Sequence, residues 1–143
     1  NISPLGNVYQ AGTLSGNPVA MAAGAAQLTA CLQENFYHDL QHKTDYLVDG
    51  VKKHIQEKGY EITIYNIGSI FWFAFSDMTH LTRADQINAG KMTLFAKVYH
   101  YLLDNGIYFG PSGYEVGFVS AAHTNDDIDK TIKVLCDAFD KVM

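Results

Sequence analysis

The chain has 143 residues, 48% apolar and 17% charged, with a formal net charge of −5, which is one domain's worth of globular sequence, long enough to bury a core. The acidic balance and the lack of any Lys/Arg cluster exclude a nucleic-acid footprint, and no apolar run reaches the roughly 20 residues that span a bilayer. No signal peptide is visible, and Cys31 and Cys136 offer neither metal-ligand spacing nor a disulfide framework, so the expected compartment is the reducing cytoplasm.

The first residue is Asn1 rather than Met, and the chain reads as a piece of something longer. Asn1 to Val8 reads as a linker, with Pro4 and Gly6 as breakers. A helix is predicted from Pro18 to Leu32, opened by Asn17 as N-cap with Pro18 at the first helical position. Its alanines leave it smooth and apolar all round, the pattern of a buried or interfacial helix. A second helix is predicted from Phe36 to Lys58, where Phe36, Leu40, Leu47, Val51 and Ile55 keep helical spacing and Gly59 ends it. Tyr60 to Tyr65 and Ser69 to Phe75 read as strands joined by a turn at Asn66-Ile67-Gly68. Ser76 to Asn88 is polar loop, followed by a helix from Ala89 to Asn105 with Met92, Phe95, Val98, Tyr99 and Leu102 as its buried stripe. Ile107 to Phe109 and Glu115 to Ser120 read as two further strands. Thr124 with Asp127 three residues on forms a capping box, opening a last helix lined by Ile128, Ile132, Leu135, Phe139 and Val142. The expected order is α-α-β-β-α-β-β-α, an α/β (α+β) sandwich with helices covering a small, mainly antiparallel sheet.

The stretch that organises the chain is Tyr9-Gln10-Ala11-Gly12-Thr13-Leu14-Ser15-Gly16-Asn17-Pro18. Gly12 and Gly16 permit close backbone approach, Thr13 and Ser15 add hydroxyl donors, and the turn opens onto a helix start suited to an anion such as phosphate. On this chemistry alone a well-capped helix after an ordinary loop is the preferred explanation. The residues themselves go further. This stretch, continued by Ala20-Met21-Ala22-Ala23-Gly24, resembles the class III aminotransferase-like family of pyridoxal-phosphate-dependent enzymes of fold type I. Gly-Thr followed by Gly-Asn-Pro is shared across that family, while the longer string is particular to its glutamate-1-semialdehyde 2,1-aminomutase branch. Gly110-Pro111-Ser112-Gly113-Tyr114-Glu115, with Phe118-Val119-Ser120 and Ala122-His123-Thr124, is similar to that branch's C-terminal signature.

The resemblance implies the C-terminal small domain of such an enzyme. Residues 1–17 would be linker and phosphate-contact loop, 18–34 the interdomain helix, and 35–143 the small domain. It further implies that Gly12 and Thr13 contact the phosphate of pyridoxal 5'-phosphate, or of its pyridoxamine form, in the neighbouring subunit of a homodimer. Tyr9 and Gln10 would face the same cavity, and Glu115 would reach the substrate end. The substrate is then a small molecule, glutamate-1-semialdehyde, converted to 5-aminolevulinate for tetrapyrrole synthesis. His123, just before a helix N-cap, reads as structural.

Two absences bear on this reading. Arg83 is the one arginine, in the polar loop Thr82-Arg83-Ala84-Asp85, so an α-carboxylate clamp supplied by this segment is not expected. Of the remaining nine basic residues, all lysines, none stands in a motif resembling the family's Schiff-base lysine, and the chain alone is expected to be inactive. Trp72 and Tyr114 depart from the family pattern without removing a donor or a charge. Two alternatives stay open: a class III aminotransferase acting on another amine or ω-amino acid, and a stand-alone non-catalytic binding module.

Overall fold

The computed structural model of the chain describes residues 1–9 and 11–143. They form two compact units, Asn1–Phe36 and Tyr37–Met143. The first holds a closed loop in which Ile2 and Val8 form a parallel bridge and the Val8 N–H donates to the Asn1 carbonyl at 2.9 Å. It then forms α1, Pro18–Cys31. Asn17 caps α1 as its sequence requires, its Oδ1 accepting from the Val19 and Ala20 N–H groups at 3.0 and 3.1 Å. None of the residues of α1 is buried.

The second unit opens with α2, Phe36–Lys58, whose Leu40, Thr44, Leu47, Val48, Val51 and Ile55 face inward. The buried Thr44 hydroxyl donates to the Leu40 carbonyl at 2.8 Å, which removes the cost of an unpaired polar group. Next come β1, Ile62–Ile67, and β2, Ile70–Phe75, paired antiparallel from Ile62 opposite Phe75 to Ile67 opposite Ile70. That register leaves Gly68 and Ser69 as a two-residue hairpin loop. Gly68 sits at φ +57, a backbone conformation that costs a side-chain-bearing residue about 1 kcal/mol or more. The turn therefore falls one residue later than the sequence suggests.

Two short 3-10 turns, Ala84–Gln86 and Ala89–Lys91, lead into α3, Met92–Asp104. Strand β3 is only Gly117–Phe118, antiparallel to β2, and the sheet order is β1-β2-β3. Helix α4, Asn125–Val142, begins at the capping box. The Thr124 Oγ1 accepts from the Asp127 N–H at 3.2 Å while Asp127 Oδ2 accepts from the Thr124 N–H at 2.8 Å. One core joins the inner faces of α2, α3 and α4 to the sheet. At its centre the Phe73 ring meets Phe75, Phe95 and Phe139 with centroids 6.1, 5.7 and 5.3 Å apart.

The architecture is the expected helices on a small antiparallel sheet, with two corrections. Among the described residues, Ile107 to Phe109 joins no ladder. Its apolar alternation serves packing instead: Ile107 and Phe109 sit against the core while Tyr108 points to solvent. The strand expected over Glu115 to Ser120 keeps only its middle. Glu115 closes a turn through its N–H to the Ser112 carbonyl at 3.0 Å, and Ser120 closes another by accepting from the His123 N–H at 3.1 Å.

Candidate cofactor and substrate site

The phosphate candidate lies in the first unit. Its turn is closed by the Ser15 N–H donating to the Gly12 carbonyl at 2.9 Å and the Asn17 N–H to the Leu14 carbonyl at 3.0 Å. A Cβ on Gly12 would run into Ser15 Oγ, and Gly16 sits at φ +73, so both glycines have a steric reason to be there. The helix end that follows, however, has no free donors. Pro18 lacks one, Val19 and Ala20 give theirs to the Asn17 side chain, and Met21 gives its own to the Asn17 carbonyl at 2.9 Å. What remains is the loop itself. The Thr13 hydroxyl and the N–H groups of Thr13, Leu14 and Gly16 have no partner among the described residues. Together they form an exposed set of neutral donors along one turn, chemistry that suits a phosphate. Tyr9 is 82% exposed just before it, and Gln10 lies outside the described residues.

The substrate candidate, Glu115, lies in the second unit on the loop Gly110–Glu115. That loop is held from within by the Glu115 and Tyr114 N–H groups, which donate to the Ser112 carbonyl and to Ser112 Oγ. The Glu115 carboxylate folds against Gly110, where any Cβ would collide with it. Glu115 is solvent-exposed and lines a small cleft with Trp72, Phe109, Gly110 and Val116. A larger cleft of about 410 Å³ shares Phe109 and Gly110 with it, walled by Phe71, Tyr108 and Phe118 and lined also by His123 and Lys130.

Arg83 is exposed, and its guanidinium is bidentate on Asp85. This contact holds the Asp85 carboxyl below the ordinary range. None of the nine lysines is buried. Lys43 donates to the Ala121 and His123 carbonyls, Lys91 pairs with Glu61, and Lys141 sits 4.2 Å from the Tyr101 ring centre. His123 Nδ1 accepts from the Ser120 N–H at 3.0 Å, so its ring braces the turn before α4. Among the described residues no group of three or more His, Cys, Asp or Glu could hold a metal ion, and no helix is long and apolar enough to cross a membrane. The sequence reading gave Trp72 no role. The available signal was the indole N–H, which needs a partner once the ring is half-buried.

Solved structures share this fold. A β-phenylalanine aminotransferase from Variovorax paradoxus matches with a TM-score of 0.80 and 23% identity, over 97% of this chain and 32% of that one. An omega-transaminase from Sphaerobacter thermophilus matches at 0.77 and 20%, over 98% and 32%. A glutamate-1-semialdehyde aminomutase from Pseudomonas aeruginosa PAO1, in complex with PMP, matches at 0.75 and 21%, over 96% and 31%. Another match is a transaminase with PLP bound, at 0.72 and 21%, over 94% and 30%. The chain thus spans about a third of the length of the structures it matches. The sequence pattern of the family Aminotransferase class-III covers residues 1–142, and the chain belongs to that family.

Proposed function

We propose that this chain is the C-terminal part of a pyridoxal-phosphate-dependent aminomutase that converts glutamate-1-semialdehyde to 5-aminolevulinate. The observation that carries the reading is the turn Gly12–Gly16. It combines a string particular to the aminomutase branch with a donor set that fits a phosphate and is left open by the helix beside it. When bound, the cofactor supplies an electron sink for moving the amino group. The chain's own share is positioning. Thr13 Oγ1 and the loop N–H groups would hold the phosphate, in trans across a homodimer. Glu115 accepts from the substrate's ammonium and orients it. Arg83, already occupied by Asp85, leaves carboxylate binding to residues outside this chain, as an aminomutase requires. The remainder of the enzyme provides the lysine, so the fragment by itself does not turn over.

A second reading, an aminotransferase for another amine, is favoured by the equally good fold matches to an omega-transaminase and a β-phenylalanine aminotransferase. One assay separates the two. Incubated with glutamate-1-semialdehyde and no keto acid, the full-length parent is expected to form 5-aminolevulinate. Turnover only with an added keto-acid acceptor assigns the aminotransferase instead. In the same parent, Thr13→Ala is expected to raise the cofactor Kd about tenfold or more, the value of a hydrogen bond to a charged group. An unchanged Kd removes Thr13 from the phosphate site.

A further inference from the structure

We propose that Trp72 is a positioning residue, setting the loop that carries Glu115 and hence the place of its carboxylate. The inference rests on the reading of Glu115 given above. The loop Gly110–Glu115 is closed on itself, and among the described residues a single side-chain hydrogen bond ties it to the sheet. The Trp72 Nε1–H donates to the Gly113 carbonyl at 2.9 Å. The receiving residue is buried and tightly packed: a Cβ there would lie 2.7 Å from Met92 Sδ and 3.1 Å from the Phe95 ring, so both would have to give way. Gly113 is thus held between α3 below and the indole donor on β2.

The indole is itself fixed. Its ring stacks on Tyr65, centroids 6.1 Å apart at 14°. The Tyr65 hydroxyl accepts from the Leu81 N–H at 2.8 Å and donates to the Thr79 carbonyl at 3.2 Å. The plane of the donor is therefore set from β1 and from the loop after β2. Trp72 and Glu115 line the same small cleft, Tyr114 alone separates Gly113 from Glu115, and the turn that carries all three is pinned at Ser112. Without the indole donor, Gly113 loses its tether and the carboxylate loses its fixed reach. The expected loss is in substrate binding rather than in the rate of chemistry.

In the full-length enzyme, Trp72→Phe keeps a ring on Tyr65 and removes the donor, while Glu115→Gln keeps the shape and removes the charge. Each is expected to raise the KM for the amino-bearing substrate about fivefold, as one lost hydrogen bond does, with kcat within about twofold. The double variant should bind no worse than the worse single one, because both changes break one linkage. Trp72→His, which returns a ring N–H, should recover part of the loss. A raised KM in Glu115→Gln with none in Trp72→Phe, or strictly additive effects, overturns the role of Trp72 and leaves Glu115 standing. An unchanged KM in Glu115→Gln overturns the reading of Glu115 itself. The indole N–H resonance gives a measurement that requires no change at Trp72. Substrate should shift it in the parent and not in Glu115→Gln, and the absence of a shift in the parent overturns the proposal.

Discussion

The two units use apolar residues in opposite ways. In Asn1–Phe36 no described residue is buried, and Val19, Met21 and Leu28 on α1 are 78%, 63% and 67% exposed. In Tyr37–Met143 the apolar residues close on one another, with Val51, Leu135 and Phe139 fully buried. A helix can therefore be rich in alanine, valine, methionine and leucine and contribute nothing to a core of its own. Such a surface is the kind that partners cover. The second unit needs no such help, because its helices put their apolar stripe on a sheet they carry themselves.

The sharpest way to break this contrast is a pair of truncations. Phe139→Ala empties the centre of the aromatic cluster and is expected to cost about 3–5 kcal/mol, a large share of the roughly 5–15 kcal/mol that holds a domain. Leu28→Ala on α1 should stay within about 0.5 kcal/mol. Comparable shifts in the denaturation midpoints of the two variants would erase the distinction between the units. Thr124→Ala removes the reciprocal cap of α4 and should cost about 1 kcal/mol, with Thr124→Ser nearly neutral. A loss at both would place the effect in the methyl group rather than the hydroxyl.

The smallest effect is on acid stability, and it too belongs to the second unit. Asp127 is held below the ordinary carboxylate range by the Thr124 hydroxyl and N–H. Asp140 is held below it first by the Tyr60 hydroxyl, 2.8 Å away, and then by His54 at 2.7 Å. A folded value below the unfolded one means stability that is present above about pH 4 and lost as pH falls through the folded value. Asp140→Asn should flatten the acid limb of a stability–pH curve, and an unchanged limb would show that these contacts do not persist in solution.

Much of the second unit was legible because its signals are local. Helical spacing and Gly59 give α2 its bounds, and Thr124 with Asp127 gives α4 its start. Local signals fail where the outcome depends on a neighbour. Ile107 to Phe109 has a strand's alternation, but pairing needs a partner edge, and β3 reaches only Phe118. Glu115 and Ser120 look like strand residues until Ser112 and His123 draw them into turns. At the phosphate turn, the sequence names the donor types without saying which are already taken. Asn17 satisfies the end of α1 so completely that the loop, not the helix, carries the free donors. Trp72 was opaque for the same reason, its partner Gly113 standing 41 residues away.

The hairpin of β1 and β2 has a consequence for how the second unit assembles. Its register closes across two loop residues, whereas contacts between α2 and α4, Tyr46 to Asp129 and His54 to Asp140, join residues 83 and 86 positions apart. Closing a long loop costs more entropy before any contact rewards it, so the hairpin is the natural nucleus and the pairing of α4 with α2 a late step. In stopped-flow experiments, substitutions at Asp129 and Asp140 should then accelerate unfolding and leave the refolding rate unchanged. A slowed refolding limb would instead place the α2–α4 pairing in the nucleus.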